Sequence, residues 1–178
     1  MSWADRTRWD ARHTLREPEP PGPPRPFAQF VDHFPTSGRA LELACGGGSV
    51  AVWLAQRGLD VLAVDVSPVA VADAARLAES AGVTDRCRFA VADLDDGLPA
   101  GAPVDVLLCL RFRDPRLDAA IRTRVVPGGL LAVTALSEVG AAPGRFRAAA
   151  GELTGAYPGF DVITDGERDG LAWLLARR

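Results

Sequence analysis

Lysine is absent from this chain: its 20 Lys-plus-Arg positions are all arginine, alongside two histidines, His13 and His33. That absence excludes Schiff-base chemistry, phosphate capture by a P-loop lysine and any proton relay built on a Tyr/Lys pair. Tyrosine occurs once, at Tyr157, and three cysteines (Cys45, Cys87, Cys109) show no C-x-x-C spacing, so no zinc site is indicated and the thiols read as buried and free. No apolar run reaches the roughly 20 residues that span a bilayer, and no signal-like apolar stretch follows Met1–Arg6. A cytoplasmic protein without a membrane partner is expected. The net charge of -3 argues against a large phosphate-backbone footprint, so no nucleic-acid partner is expected either.

What is present is an ordinary globular composition, 178 residues of which 48% are hydrophobic and 24% charged. The chain is organised around Arg39-Ala40-Leu41-Glu42-Leu43-Ala44-Cys45-Gly46-Gly47-Gly48, an apolar run ending in three glycines, followed by helix-spaced apolar residues from Val50 to Leu54. This predicts a strand, a glycine turn and a helix, with bare backbone N–H groups at the helix start where an anionic or nucleotide-like ligand is favoured. The next strand, Asp60–Asp65, ends in a carboxylate at the distance expected of an acid that accepts from ribose hydroxyls. Gly46-x-Gly48-x-x-Ala51 with Asp65 also fits the dinucleotide fingerprint, so glycine spacing leaves the cofactor class open.

Glu42, four residues before Gly46, bears on that choice. The pattern Glu42-x-Ala44-x-Gly46-x-Gly48 resembles the first motif of class I S-adenosylmethionine-dependent methyltransferases, which usually carry glycine where this chain has Ala44. Further along, Arg86–Leu94 reads as a third strand closed by Asp93-Leu94, which resembles the family's adenine-side Asp-Leu pair, and Pro127-Gly128-Gly129 resembles the family's turn into its fifth strand. The resemblance implies S-adenosylmethionine as cofactor. Glu42 would hold the turn and the cofactor's amino-acid end, Ala44, Cys45, Gly46 and Gly48 would pass beneath it, and Asp65 with Val66 would meet the ribose. Asp93 would accept from the exocyclic amine and Leu94 would cover the ring.

The rest of the chain is read in the same frame. Trp9-Asp10-Ala11-Arg12-His13 is similar to an opening Trp-Asp-x-Arg-Tyr segment of small methyltransferases, with His13 in place of tyrosine, and Trp9 and Arg12 would close over the cofactor. Anchoring of an N-terminal helix by Trp3 and Trp9 is the plainer alternative. Six prolines between Glu17 and Pro26 predict an extended connector, and Phe27, Phe30, Val31 and Phe34 a short amphipathic helix. The domain division expected is a lid and connector over 1–38 and a cofactor-binding domain over 39–178.

The fourth strand, Val104–Leu110, is almost continuously apolar, as a central parallel strand should be. After it, Leu110-Arg111-Phe112 stands where the family faces the transferred methyl, in a form that resembles the tellurite-resistance group. There Leu110 would touch the cofactor, Arg111 would orient a polar or anionic acceptor and Phe112 would flank the methyl; a surface arginine and a core phenylalanine are the alternative. Cys45 and Cys109 would end neighbouring strands near this point, which leaves a substrate-facing or redox-sensitive thiol as the alternative to an inert one. Asp93, Asp95 and Asp96 lack a cation-loop pattern, and no metal is expected.

A helix is predicted to begin at Asp114-Pro115 and carry Leu117, Ala120, Ile121 and Val125 on one side, another to cover 145–156, and a closing hairpin to pair Phe160–Ile163 with Leu171–Ala176. The fold class implied is α/β: a doubly wound, Rossmann-like, seven-stranded sheet with an antiparallel last strand. The activity implied is methyl transfer to a small-molecule acceptor, with His13 as candidate base, a solvent-exposed helix histidine being the alternative, and Arg111 as the second catalytic candidate, orienting the acceptor. The alternatives are a catalytically silent S-adenosylmethionine-binding sensor, and an NAD-dependent oxidoreductase, which would lack a catalytic set here.

Overall fold

Three parallel strands form the centre of the molecule, mainly apolar but for Arg39, Glu42, Asp60, Asp65 and Asp105: β1 (Arg39–Leu43), β2 (Asp60–Asp65) and β4 (Val104–Cys109). The computed structural model describes residues 3–15, 17–142 and 147–178. The middle of each central strand is mostly apolar because both faces of the sheet are covered, buried Glu42 being the exception. The seven-strand path runs β3-β2-β1-β4-β5-β8-β7, with β3 (Cys87–Val91) at one edge and β7 (Asp161–Arg168) at the other. β5 (Val125–Ser137) is parallel to β4, and β8 (Leu171–Arg177) inserts antiparallel between β5 and β7. A two-residue strand β6 (Arg147–Ala148) pairs with the end of β5 off this path.

Helix α1 (Trp3–Thr14) precedes the sheet; α2 (Ser49–Gln56) links β1 to β2, and α3 (Pro68–Ser80) links β2 to β3. Ser67 caps α3 by accepting from the Ala70 N–H at 3.2 Å, and Pro68 begins it without losing a needed donor. On one face of the sheet Leu54, Leu108, Leu130 and Leu175 pack with Phe27 and Phe34; on the other Leu43, Leu107, Leu131 and Leu174 pack with Ile121 and Leu153. Phe27 and Phe34, ahead of β1, are therefore part of the sheet's own core. No helix among the described residues is long and apolar enough to cross a membrane.

Four local expectations are corrected. Arg25–His33 is a 3-10 helix broken at Phe30, whose φ of -112° lies outside helical values, in a stretch that Pro24 and Pro26 hold near their fixed φ. The helix expected from Asp114 is one 3-10 turn, Pro115–Leu117, followed by α4 (Asp118–Arg124), and Val125 already belongs to β5. The Pro-Gly-Gly turn consequently lies inside β5 as an irregularity, where the register to β4 jumps between Val104 and Val106 and Gly128 takes φ +77°.

Of the helix expected over 145–156, Arg145 lies outside the described residues; Arg147–Ala148 are strand, and only α5 (Glu152–Gly155) is helical. Gly151, at φ +73°, breaks the run. The hairpin, finally, turns on Asp169-Gly170 alone, at φ +54° and +74°, the paired positive angles of a two-residue type I′ turn. β7 thus continues to Arg168, and Gly166 pairs with Trp173.

Candidate active site

The C-terminal ends of β1 and β2 are joined by one carboxylate. Asp65 Oδ2 accepts from the Gly46 N–H at 2.9 Å and Oδ1 from the Ser67 N–H at 2.9 Å, so the acid expected to meet a ribose also fixes the glycine turn to the start of α3. A carboxylate offers about four lone-pair sites, and two remain after these bonds. The turn itself places Ala44, Gly46 and Gly48 at φ +53°, +54° and +77°. Ala44 adopts the left-handed conformation that glycine would adopt freely.

The three glycines do different work. A Cβ on Gly47 would meet no atom within 4 Å and one on Gly46 only His13 Cε1, at 3.4 Å, so the backbone there is open to a ligand. At Gly48 a Cβ would come within 2.6 Å of Ala74 Cβ and 3.1 Å of the Phe89 ring. The absence of a side chain at Gly48 is therefore required by the seating of α2 against α3 and β3.

Glu42 is 2% exposed and its Oε2 has no hydrogen-bond partner. Burial pushes its carboxyl from an ordinary 4.5 up to about 8; the Ala51 backbone bond pulls it back down and the Asp65 charge raises it further. A buried carboxyl with an idle oxygen, one strand from Asp65, suits a cationic partner. Val66 and Leu94 are core residues at 4% and 1% exposure, while Leu110 packs at the edge of the opposite cluster. Asp93 accepts from the Asp95 N–H at 2.9 Å and so caps the short 3-10 turn after β3.

Helix α1 reaches this strand-end region. Asp10 Oδ1 accepts from Ser67 Oγ at 2.5 Å, Trp9 packs against the core cluster, Arg12 stacks on Trp9 at 5.3 Å, and buried His13 stands over Gly46. The connector is fastened as well, since Ser49 Oγ donates to Pro20 O at 2.6 Å.

Beyond β4, Arg111 takes φ +57° and its N–H donates to Thr134 Oγ1 at 2.8 Å, which commits its exposed side chain to the end of β5. Phe112 is buried in the core and lies apart from the groove that Arg111 lines. Arg113, also buried, clamps Asp118 with two bonds of 2.6 and 2.8 Å and reaches Glu152 at 2.8 Å, while Tyr157 donates to Asp118 at 3.1 Å. Burial, then the Asp118 charge, raises the Tyr157 pKa; for Arg113 burial pulls downward, and the Asp118 hydrogen bond and charge outweigh it and raise the pKa. The sequence reading missed this network, since its members lie up to 44 positions apart. It also missed the groove wall at Arg168 and Trp173, which the Asp169-Gly170 dipeptide could have revealed by fixing the hairpin register.

The three thiols are buried. Desolvation drives Cys45 well above the ordinary thiol range, Cys87 to about 11 and Cys109 to about 12, so none is a thiolate near neutrality and the reactive-thiol alternative is set aside. Among the described residues, no group of three or more His, Cys, Asp or Glu side chains is gathered for a metal.

The strand order, the reversed β8, the glycine turn after β1 and the strand-end acids define a class I methyltransferase fold. The sequence matches the family described as "Methyltransferase domain" over residues 40–129, half of the chain, and the protein belongs to that family. It is 31% identical over 104 residues to a ubiquinone biosynthesis O-methyltransferase of Azorhizobium caulinodans, covering 56% of this chain and 40% of that protein. An uncharacterised Synechococcus protein is 29% identical over 154 residues, 75% of this chain and 37% of the other. The chain thus spans well under half the length of these relatives. Among solved structures, TehB from Haemophilus influenzae superposes with a TM-score of 0.71 at 20% identity, over 80% of this chain and 58% of that one. An S-adenosylmethionine-dependent methyltransferase from Mesorhizobium loti gives 0.69 at 18%, over 84% and 96%.

Proposed function

We propose that this protein transfers a methyl group from S-adenosylmethionine to a small-molecule acceptor. The observation that carries the reading is the turn after β1: open backbone at Gly46-Gly47, spare acceptor sites on Asp65, and an idle buried oxygen on Glu42. These match, in order, a ligand lying against the glycines, a ribose diol, and a cationic amino-acid end. Asp93 would meet the exocyclic amine, and Trp9 and Arg12 on α1 would close the site.

When bound, S-adenosylmethionine supplies an activated methyl: the carbon–sulfur bond breaks with its electron pair kept by sulfur, and the acceptor atom forms the new bond as its proton leaves to a base or to water. The chain's part is alignment and water exclusion. His13, buried in α1 above Gly46, is the candidate to hold the proton of a hydroxyl acceptor, an acceptor type that the O-methyltransferase relative makes the first to try. Arg111 orients the acceptor at the end of β4. Absence of a large insertion between β4 and the hairpin favours an acceptor of small size.

The test is calorimetric titration with S-adenosylmethionine, S-adenosylhomocysteine and NADH. Micromolar binding of the adenosyl ligands, lost in Asp65→Ala, is expected. Because Asp65 also ties down the Gly46 and Ser67 amides, thermal melts must accompany it, with Asp65→Asn as the milder variant. Binding of NADH alone would overturn the reading. Adenosyl-ligand binding without turnover of any hydroxyl, amine or thiol acceptor would favour the silent sensor.

A further inference from the structure

A groove of about 350 Å³ opens between the end of β4 and the tip of the β7–β8 hairpin. Its apolar wall is Leu136, Leu171 and Trp173; its charged wall is Arg111, Arg168 and the carboxylate Asp169, so two guanidiniums face one acid. Thr134, Leu136, Leu171 and Trp173 fall on one sheet face by register, since Thr134 pairs with Trp173 and Leu136 with Leu171. Leu136 remains 40% exposed there, on a face that the 3-10 helix covers only toward the other end, where Arg177 bonds His33 O.

Both walls are preset. The Trp173 indole lies across Gly166, where any Cβ would collide with the ring, so the aromatic surface is held in one orientation. Arg111 keeps a strained left-handed φ of +57°, and the Thr134 hydroxyl holds its N–H there. Backbone strain retained by a surface arginine is the kind of outlier that accompanies a ligand contact. Among the described residues the Arg111 side chain has no ion-pair partner, and Arg168 meets only the neighbouring Asp169, at 3.4 Å with both side chains about four-fifths exposed or more, a weak pair.

We infer that this groove binds the methyl acceptor, and that the acceptor is a small anion: a carboxylate or like group held between Arg111 and Arg168, with a flat apolar body against Trp173 and Leu136. Two guanidiniums can each take a carboxylate by paired N–H bonds, and an arylated anion matches one charged and one aromatic wall. The position suits the task. β5 lies two strand spacings, about 10 Å, from β1 and its glycine turn. A small molecule anchored by its anion over β5 therefore extends its other end toward that turn. The inference rests on the methyltransferase reading for the word acceptor, but the anion preference stands or falls separately.

The experiment measures binding of a panel of hydroxyaryl and arylalkyl carboxylates, each against its own carboxamide, with and without S-adenosylhomocysteine. At least one carboxylate should bind tenfold or more tightly than its amide. Arg111→Gln should erase that preference, Arg168→Gln should reduce it severalfold, and Trp173→Leu should weaken acid and amide alike. All three should bind S-adenosylhomocysteine as the parent protein does. Equal binding of acids and amides, binding of neither, or an Arg111→Gln protein that keeps the preference would overturn the inference. If the carboxylate preference appears while S-adenosylhomocysteine fails to bind the parent protein, the groove is an anion site and the methyltransferase reading is what fails.

Discussion

Two non-glycine residues end neighbouring strands in the left-handed conformation: Ala44 after β1 and Arg111 after β4, at φ +53° and +57°. They represent two ways of building a site. Around Ala44 the chain is shaped through its backbone, by glycine angles, an Asp65 carboxylate spent on two amides, and close packing of Gly48 on Ala74. Around Arg111 the shape is made by side chains that converge from β4, β5, β7 and β8, with a lone hydroxyl, that of Thr134, holding the strained amide. A cofactor common to many reactions can be gripped by a fixed backbone. An acceptor particular to one reaction needs replaceable side chains, and those accumulate on the second half of the sheet.

The largest test of that division is Arg113→Ala. Arg113 is 6% exposed and bridges Asp118 to Glu152 on the second half of the chain, so its removal leaves half-buried Asp118 held, among the described residues, by the Tyr157 hydroxyl alone. Breaking a buried pair from one side costs roughly 3–5 kcal/mol. A loss near the lower end is expected in urea unfolding, because Glu152 reaches solvent. If the two regions are separately built, S-adenosylhomocysteine affinity in the surviving folded protein should stay within about twofold, as for distant independent sites. A collapse of affinity would show that the acceptor half holds the glycine turn in place.

How much of each region could be read in advance follows from the same contrast. Backbone-shaped features are local in sequence: Gly46, Gly48, Asp65 and Ser67-Pro68 each announce a turn, a strand end or a cap, and the strand order followed once they were set in a doubly wound frame. The dual duty of Asp65 was not legible, because its bonds to Gly46 and Ser67 depend on β1 and β2 lying side by side. The groove was less legible still. Arg111 stands out beside the fourth strand, but Arg168 does not, since an apolar-run criterion cannot see the polar part of β7, Thr164–Arg168, which an edge position permits. Phe112, for which the sequence offers a place beside the methyl or one in the core, is buried in the core cluster.

A smaller effect separates the regions by pH. Glu42 holds its proton up to about 8 in the folded chain against about 4.5 when exposed, so the folded form binds more protons than the unfolded one between those values. Stability therefore falls as pH rises through this window and levels off above it. Glu42→Gln should remove that slope, so that it gains stability on the parent steadily as pH rises from about 5 to 8.5 and keeps the gain above that. If Glu42 also receives a cationic ligand end, binding S-adenosylhomocysteine at pH 7 should release a proton. Calorimetric enthalpies that vary with buffer ionisation heat in the parent protein, and not in Glu42→Gln, are the expected readout.

The smallest effect returns to the two strained residues. Ala44→Gly relieves a left-handed alanine, about 1.5 kcal/mol. Against this stand the extra freedom of glycine in the unfolded chain, about 0.7 kcal/mol, and part of a methyl that packs on the core, about 0.4 kcal/mol. A net gain near 0.5 kcal/mol is expected, a rise of about 1–2 °C in Tm, with adenosyl-ligand affinity unchanged because the turn keeps its angles. Arg111→Gly relieves the same strain without losing a core methyl, so it should stabilise at least as much while losing discrimination between acids and amides in the groove. Equal stabilisation with opposite consequences for binding would place function in the backbone at Ala44 and in the side chain at Arg111. If Ala44→Gly instead destabilises, the alanine methyl is worth more than its strain, and the departure from the family's glycine is a packing adaptation of this chain.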